Sequence, residues 1–324
     1  MNPIQNLKLK WTKRAAYFLA LSLFLYGINL IYYQTTDGFL LSNITSDFTY
    51  DPRWETRALS PDEQNALPTI LQQPYRYLGK GCQSYVFGSE DGKYVIKFFK
   101  YQRFRPKPWG YYVDFLPGMK TYLRNKEAFK KKKREGVFES WKLAHNKLSG
   151  ETGVVYVHLN KTHGQHGSFI FYDKLGIKHE INLDNFEFMV QKQAKMLCDE
   201  IDGLMGKGKD SLADALLGNL LDRLLSEYHR GFADNDHALM QNTGVYEGTP
   251  IHVDVGQFAE DESIKNPDFY LQELYTKTYK FRLWLKEKHP SLAQSFDKRL
   301  ESLYGEKFSN MQPHWRNKME IFQD

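Results

Sequence analysis

The chain has 324 residues, 41% of them hydrophobic and 26% charged, with a formal net charge of +5. This balance excludes a disordered polymer, and two cysteines, Cys82 and Cys198, are too few for a disulfide framework. The charge is unevenly placed. Lys8, Lys10, Lys13 and Arg14 sit in the first 14 residues with no acid among them, which leaves 40 basic against 39 acidic side chains in the other 310. A domain this close to neutral has no electrostatic footprint for nucleic acid, and no nucleic-acid partner is expected.

In chain order, residues 1–14 form a basic tail and Ala15 to Tyr33 is a run of 19 residues without a charge. At about 1.5 Å per residue a helix of this length spans about 28 Å, close to the hydrocarbon thickness of a bilayer. Tyr26, Tyr32 and Tyr33 lie toward one end, as interfacial aromatics do. The apolar run is longer than the core of a usual signal peptide and no A-x-A-like cleavage site follows, so it reads as an uncleaved transmembrane anchor. Basic residues before it, and Asp37, Asp47 and Asp51 after it, predict a cytoplasmic N-terminus with the domain on the non-cytoplasmic side. Residues 34–70, with Pro52, Pro61 and Pro68, read as a stalk.

From Tyr75 to Lys100 apolar runs are punctuated by glycines and an Asp91-Gly92 turn, the pattern of consecutive hairpins. A basic, aromatic and proline-bearing stretch, Tyr101 to Thr121, reads as a loop. Residues 122–148 read as a helix, because Val137, Trp141, Ala144 and Leu148 recur at helical spacing. Strands are expected again at 153–159, 168–173 and 186–191. Helices dominate from Lys195, the strongest being Ser211–His229, with Ser211 and Asp214 placed as a capping box. One late strand, Pro250–Val255, interrupts them. The sum is an α+β layout, strand-rich in front and helical behind.

Two constellations carry chemistry. In Leu78-Gly79-Lys80-Gly81-Cys82-Gln83-Ser84 two closely spaced glycines in a turn between strands let the backbone approach phosphate oxygens, and Lys97 ends the next strand within reach of the same oxygens. A carboxylate on the following helix would hold that lysine; Glu139 is one candidate, Glu135, one turn earlier, the other. The second constellation is an Asp-rich loop, His229 to His237, then Asn242, then a strand ending in Asp254-Val255-Gly256. One carboxylate orients an attacking hydroxyl, while an amide oxygen and a second carboxylate hold Mg²⁺ against phosphates.

In this order the motifs resemble those of the protein-kinase-like superfamily: a glycine-rich loop with Ser84 in place of the third glycine, the V-A-I-K lysine, and D-F-G with Val255 for Phe. The catalytic loop departs from H-R-D-x-x-x-x-N and is similar to the G-x-x-D-R-H loop of phosphoinositide-kinase-like enzymes. The resemblance implies a bilobal fold, N-lobe 71–194 and C-lobe 195–324, binding ATP and Mg²⁺. It implies nucleotide contacts from Gly79, Gly81, Ser84, Lys97 and Glu139, metal ligands Asn242 and Asp254, and a catalytic carboxylate at Asp234 or Asp236. No A-P-E follows Asp254. Two function classes stay open: a membrane-anchored phosphotransferase acting on a hydroxyl acceptor of unread identity, and a pseudokinase that binds or scaffolds without turnover.

Three motifs are set aside. Gly203 to Asp210 nearly matches a P-loop, but Asp210 stands where a hydroxyl is needed, and it reads as an interhelical linker. His163 and His166 read as a polar turn, and the basic run 130–134 as a solvated helix face. Asn43-Ile-Thr45 and Asn160-Lys-Thr162 match the glycosylation sequon.

Overall fold

The computed structural model describes residues 3–106, 110, 112–113 and 115–315. Parts of the basic tail, of the 101–121 loop and of the expected C-lobe (residues 316–324) therefore lie outside the described residues. The chain begins with the long helix α1 (Pro3–Thr36), followed by α2 (Leu41–Ile44) and α3 (Pro61–Leu71). Strands β1 (Tyr75–Lys80), β2 (Ser84–Ser89) and β3 (Tyr94–Phe99) follow, then α4 (Met119–Lys147) and α5 (Ser149–Thr152). Next come β4 (Val154–His158), β5 (Ser168–Tyr172), β6 (Lys178–Asn182), β7 (Phe188–Lys192) and β8 (Lys195–Met196). The rest is α6 (Leu197–Met205), α7 (Asp210–His229), β9 (Phe232–Asp234), α8 (Leu239–Asn242), β10 (Thr243–Tyr246), β11 (Thr249–His252), β12 (Phe258–Glu260), α9 (Pro267–Lys288) and α10 (Pro290–Tyr304).

The architecture is mixed α+β. Seven strands form one sheet in the order β4-β7-β3-β2-β1-β5-β6, antiparallel except where β1 runs parallel to β5. Three apolar cores hold the chain together. One sheet core gathers Tyr75, Phe87, Phe98, Phe169, Phe171 and Phe188. A second joins Phe99 and Met189 of the sheet to Val137, Phe138, Trp141 and Ala144 of α4 and to Phe258 of β12. The third is helical, built on the leucines of α7 with Phe281 and Leu285 of α9 and Phe296 and Leu300 of α10.

α1 contains a 26-residue stretch, Trp11–Thr36, long and apolar enough to cross a membrane, and none of its most apolar window is buried among the described residues. The residues after it correct the expected stalk. Phe39, Ile44, Leu67, Ile70 and Leu71 belong to the core that also contains Phe87 and Phe171, and Trp54 packs on Phe138. Residues 39–71 are thus part of the packed domain. A true capping box lies here, where Ser60 and Glu63 satisfy each other's backbone N–H at the start of α3. The expected box at Ser211 does not form. α7 starts at Asp210 after Lys209, and the Asp214 carboxylate instead receives bonds from Ser295 and Arg299 of α10. The run 130–134 is only partly solvated, since Lys130 bonds the Arg105 carbonyl at 2.7 Å and Arg134 stacks over Phe48. Both sequon asparagines are engaged: Asn43 donates to the Gly38 carbonyl at 2.9 Å, and Asn160 exchanges two bonds with the backbone of Asp51.

Candidate functional site

Lys97 sits in the middle of the sheet, paired across to Val86 on β2 and Met189 on β7. Its ammonium leaves the sheet toward the β11–β12 connection and donates to the carbonyl of Val253, the residue before Asp254. Burial pushes the Lys97 pKa down to about 8, and the nearby Asp254 charge pulls against that shift. The front-sheet lysine and the rear carboxylate therefore face each other. Asn242 joins them, because its backbone carbonyl accepts from Val253 N–H at 2.7 Å where the chain leaves β11. The Lys97 ammonium and the Asn242 carbonyl thus both bond the backbone of Val253, the residue before Asp254.

The glycine turn lies against the same place. Neither Gly79 nor Gly81 has a positive φ, and a Cβ at Gly79 would meet nothing within 4 Å. These glycines are demanded neither by backbone strain nor by protein packing, so their missing side chains leave open space above the turn. Lys100 Nζ holds the Gly81 carbonyl at 2.6 Å, and Arg103 holds that of Cys82. Gln83, the next residue, reaches across. A Cβ added to Gly256 would collide with Gln83 Oε1, so the Gln83 amide is seated directly on the glycine of the Asp254-Val255-Gly256 turn. That turn is closed by Gly256 N–H donating to Asp254 Oδ1 at 3.1 Å. Ser84 is buried at the start of β2.

The two rival aspartates have different surroundings. Asp234 ends β9, is buried, and receives the Lys277 ammonium of α9 at 2.9 Å on both Oδ2 and its own carbonyl. Burial pushes the Asp234 carboxyl up against the pull of Lys277; burial pulls Lys277 down in turn, but the Asp234 and Glu273 charges hold it above its ordinary value. Asp236 is only half-buried. Its Oδ1 caps Ala238 N–H at 3.0 Å and its Oδ2 accepts from Gln257, the residue after Gly256, at 2.9 Å.

The expected carboxylate partner for Lys97 is absent from the helix. Glu139 is exposed on α4, on the side away from the buried Val137, Phe138 and Trp141, and Glu135 is bound to Arg53 at 3.1 Å. Residues without a sequence signal take part instead: Gln83, the Val253 carbonyl, Gln257 and Lys277. Behind β11, His252 forms a fully buried pair with Glu227 of α7 at 2.8 Å and meets Phe258 edge-on, which braces the strand that delivers Asp254.

The donor set fits a hard divalent cation held jointly with phosphates, since Mg²⁺ commonly takes one or two carboxylates and leaves its other positions to substrate and water. Among the described residues no group of three or more His, Cys, Asp or Glu is placed to hold a metal by itself. His166 is engaged with the Tyr156 hydroxyl at 3.0 Å, and burial pushes it down to about 4. Its turn is built on Asp184, which accepts backbone N–H bonds from Gly164, Gln165 and His166. The near-P-loop motif begins in the last turn of α6, crosses the short link and ends on Asp210, the first residue of α7.

No family model matches the chain. No curated protein matches it either. One solved structure that matches is the streptomycin–ATP–APH(2″)-IIa ternary complex, with 17% sequence identity and a TM-score of 0.29, covering 82% of this chain and 99% of that chain.

Proposed function

We propose that the chain is a membrane-anchored, kinase-like phosphotransferase that moves the γ-phosphate of ATP to a hydroxyl acceptor with Mg²⁺. The observation that carries this reading is the convergence of Lys97, Asn242 and Asp254, with the glycine turn seated on Gly256. On this reading a nucleotide-binding N-lobe, residues 71–194, would precede a helical C-lobe, residues 195–324. Lys97 would exchange its Val253 carbonyl for phosphate oxygens, and backbone N–H groups of the turn from Gly79 to Ser84 would approach the same phosphates. Asp254 and Asn242 would hold Mg²⁺, which when bound neutralises phosphate charge.

The surroundings of the two aspartates favour Asp236 for the acceptor. A carboxylate that takes a proton from a hydroxyl must be within its reach, and Asp236 is only half-buried and bonded by neutral donors, whereas Asp234 is buried and ion-paired with Lys277. Gln257, the residue after Gly256, ties Asp236 to the Asp254 turn. Anchoring by α1, with Lys13 and Arg14 on the cytoplasmic side, puts the domain on the non-cytoplasmic side, where the ATP supply must be lumenal or exported. The acceptor carries no motif of its own.

A second reading, a pseudokinase that binds or scaffolds, draws on two observations: Lys97 has no carboxylate from α4, and Gln83 fills the space above Gly256. ATP consumption by the purified full chain in detergent with Mg²⁺ separates the two. The phosphotransferase reading expects turnover that is lost in Asp236→Asn. Nucleotide binding with no turnover under any metal would favour the pseudokinase.

A further inference from the structure

The end of α1 is clamped to the domain. The chain turns sharply at Asp37 and Gly38, both left-handed (φ 54° and 73°), and the Gly38 Cα faces the Tyr33 ring so closely that a Cβ would lie 2.8 Å from it. The Asp37 carboxylate receives Tyr77 of β1 at 2.9 Å, Lys80 at 3.1 Å and Lys174 at 3.2 Å. Tyr85 of β2 donates to the Gly38 carbonyl at 2.6 Å. Phe39 is then buried edge-on against Tyr85, Phe87, Phe171 and His179. Lys80 and Tyr85 bracket the glycine turn, so that turn is held beside the helix end.

Lys174 belongs to the tip of the β5–β6 hairpin and also donates to the Gln34 carbonyl inside α1, at 2.9 Å. The tip, Asp173 to Ile177, is rigid. Asp173 Oδ1 accepts from the N–H groups of Leu175 and Ile177 at 2.9 and 3.0 Å, and its Oδ2 meets His179 at 2.8 Å. This tightly bonded turn presents two large apolar side chains outward, Leu175 at 55% and Ile177 at 53% exposure. Leu40 and Leu41, just past the helix end, are exposed as well. Four large apolar side chains thus stay exposed near one end of α1 among the described residues.

We infer that Leu175, Ile177, Leu40 and Leu41 form a collar around the end of α1 that inserts into the headgroup and upper acyl layer of the bilayer, so that the domain lies on the membrane surface in one fixed orientation. This rests on the reading of α1 as a membrane span. The level is set by Gln34, one residue beyond the uncharged run ending at Tyr33. Leu175 follows Lys174, whose ammonium reaches the Gln34 carbonyl, so the hairpin tip stands beside the end of the span, where the interfacial layer of about 5–8 Å begins. Apolar tips flanked by lysine suit it, since lysine reaches the headgroups while its stem and neighbours face the acyl boundary.

The test uses the full chain reconstituted in phosphatidylcholine vesicles, with Cys82 and Cys198 replaced by serine and one environment-sensitive fluorophore on Leu175→Cys. A matched sample carries it on Leu212→Cys, an exposed position on α7. The collar predicts blue-shifted emission at 175, quenched by a spin label on the lipid acyl chain, and water-like emission at 212. Water-like emission at 175 while α1 resists alkaline extraction overturns the collar and leaves the anchor intact. Alkaline extraction of the whole chain overturns both. A blue shift that ignores the lipid quencher and grows with protein-to-lipid ratio overturns the collar in favour of contact between copies. A Leu175→Asp/Ile177→Asp chain should lose the orientation-dependent quenching at Leu40→Cys yet keep its thermal midpoint, because the turn is held by Asp173.

Discussion

Lys97→Met is the substitution whose outcome the structure determines most sharply. Burial lowers the Lys97 pKa from 10.5 to about 8, against the pull of Asp254. A lowering of about 2.5 units at about 1.4 kcal/mol each means that the folded state carries a charge penalty of about 3 kcal/mol at neutral pH. Methionine fills the same space without the charge. It also removes the donor to the Val253 carbonyl, which costs about 1–2 kcal/mol. The net gain is about 1–2 kcal/mol, a rise in thermal midpoint of about 2–6 °C for a domain of this size. The pH dependence has a definite sign. Below pH 8 lysine is charged in both states and the penalty is complete. Between about pH 8 and 10.5 the unfolded chain binds the extra proton, so wild-type stability rises and the advantage of methionine shrinks. Thermal unfolding of the full chain in detergent at pH 7 and pH 10 measures this directly, and a nucleotide-induced shift should vanish in the same variant. A midpoint several degrees below wild type at pH 7 would refute the reasoning, because Lys97 would then be a structural ion-pair residue.

Three further outcomes separate neighbouring residues. Asp234→Ala strands the buried Lys277 ammonium and should cost about 3–5 kcal/mol in thermal or denaturant unfolding, whereas Asp236→Asn should cost about 1 kcal/mol and lower turnover by about 100-fold or more. Gly256→Ala drives a methyl into Gln83 and should weaken nucleotide binding measured by fluorescence titration, while the Gln83→Ala/Gly256→Ala double variant should recover much of it. Gly38→Ala imposes both a left-handed alanine and contact with Tyr33, and should lower stability by about 1–2 kcal/mol in a melt of the full chain.

Local signals in the sequence located most elements of the fold. The Asp91-Gly92 turn and the alternation on either side marked the β2–β3 hairpin, and the spacing of Val137, Trp141 and Ala144 marked the buried face of α4. That same spacing contained the correction to Glu139. Two residues along a helix is about 200° of rotation, so a residue midway between Val137 and Trp141 points away from the face they share. The stalk reading failed for another reason. Phe39, Ile44, Trp54 and Ile70 are buried against different parts of the sheet and of α4, so no single period connects them. The Ser60–Glu63 capping box within the same stretch was the overlooked local sign of ordered structure. The distinction between Asp234 and Asp236 depends on Lys277, 43 positions away on α9, and no local pattern announces such a pair. Gln83 was equally silent, because its role depends on Gly256 in a distant turn.

The central claim is that one nucleotide site is built from the lysine of the front sheet and the carboxylate behind β11. Its most direct test is the dissociation constant of a fluorescent ATP analogue for the full chain, with and without Mg²⁺, in wild type and in Asp254→Ala. The account predicts wild-type binding that tightens when Mg²⁺ is added and Asp254→Ala binding that does not respond to the metal. Equal Mg²⁺ enhancement in both proteins would contradict it.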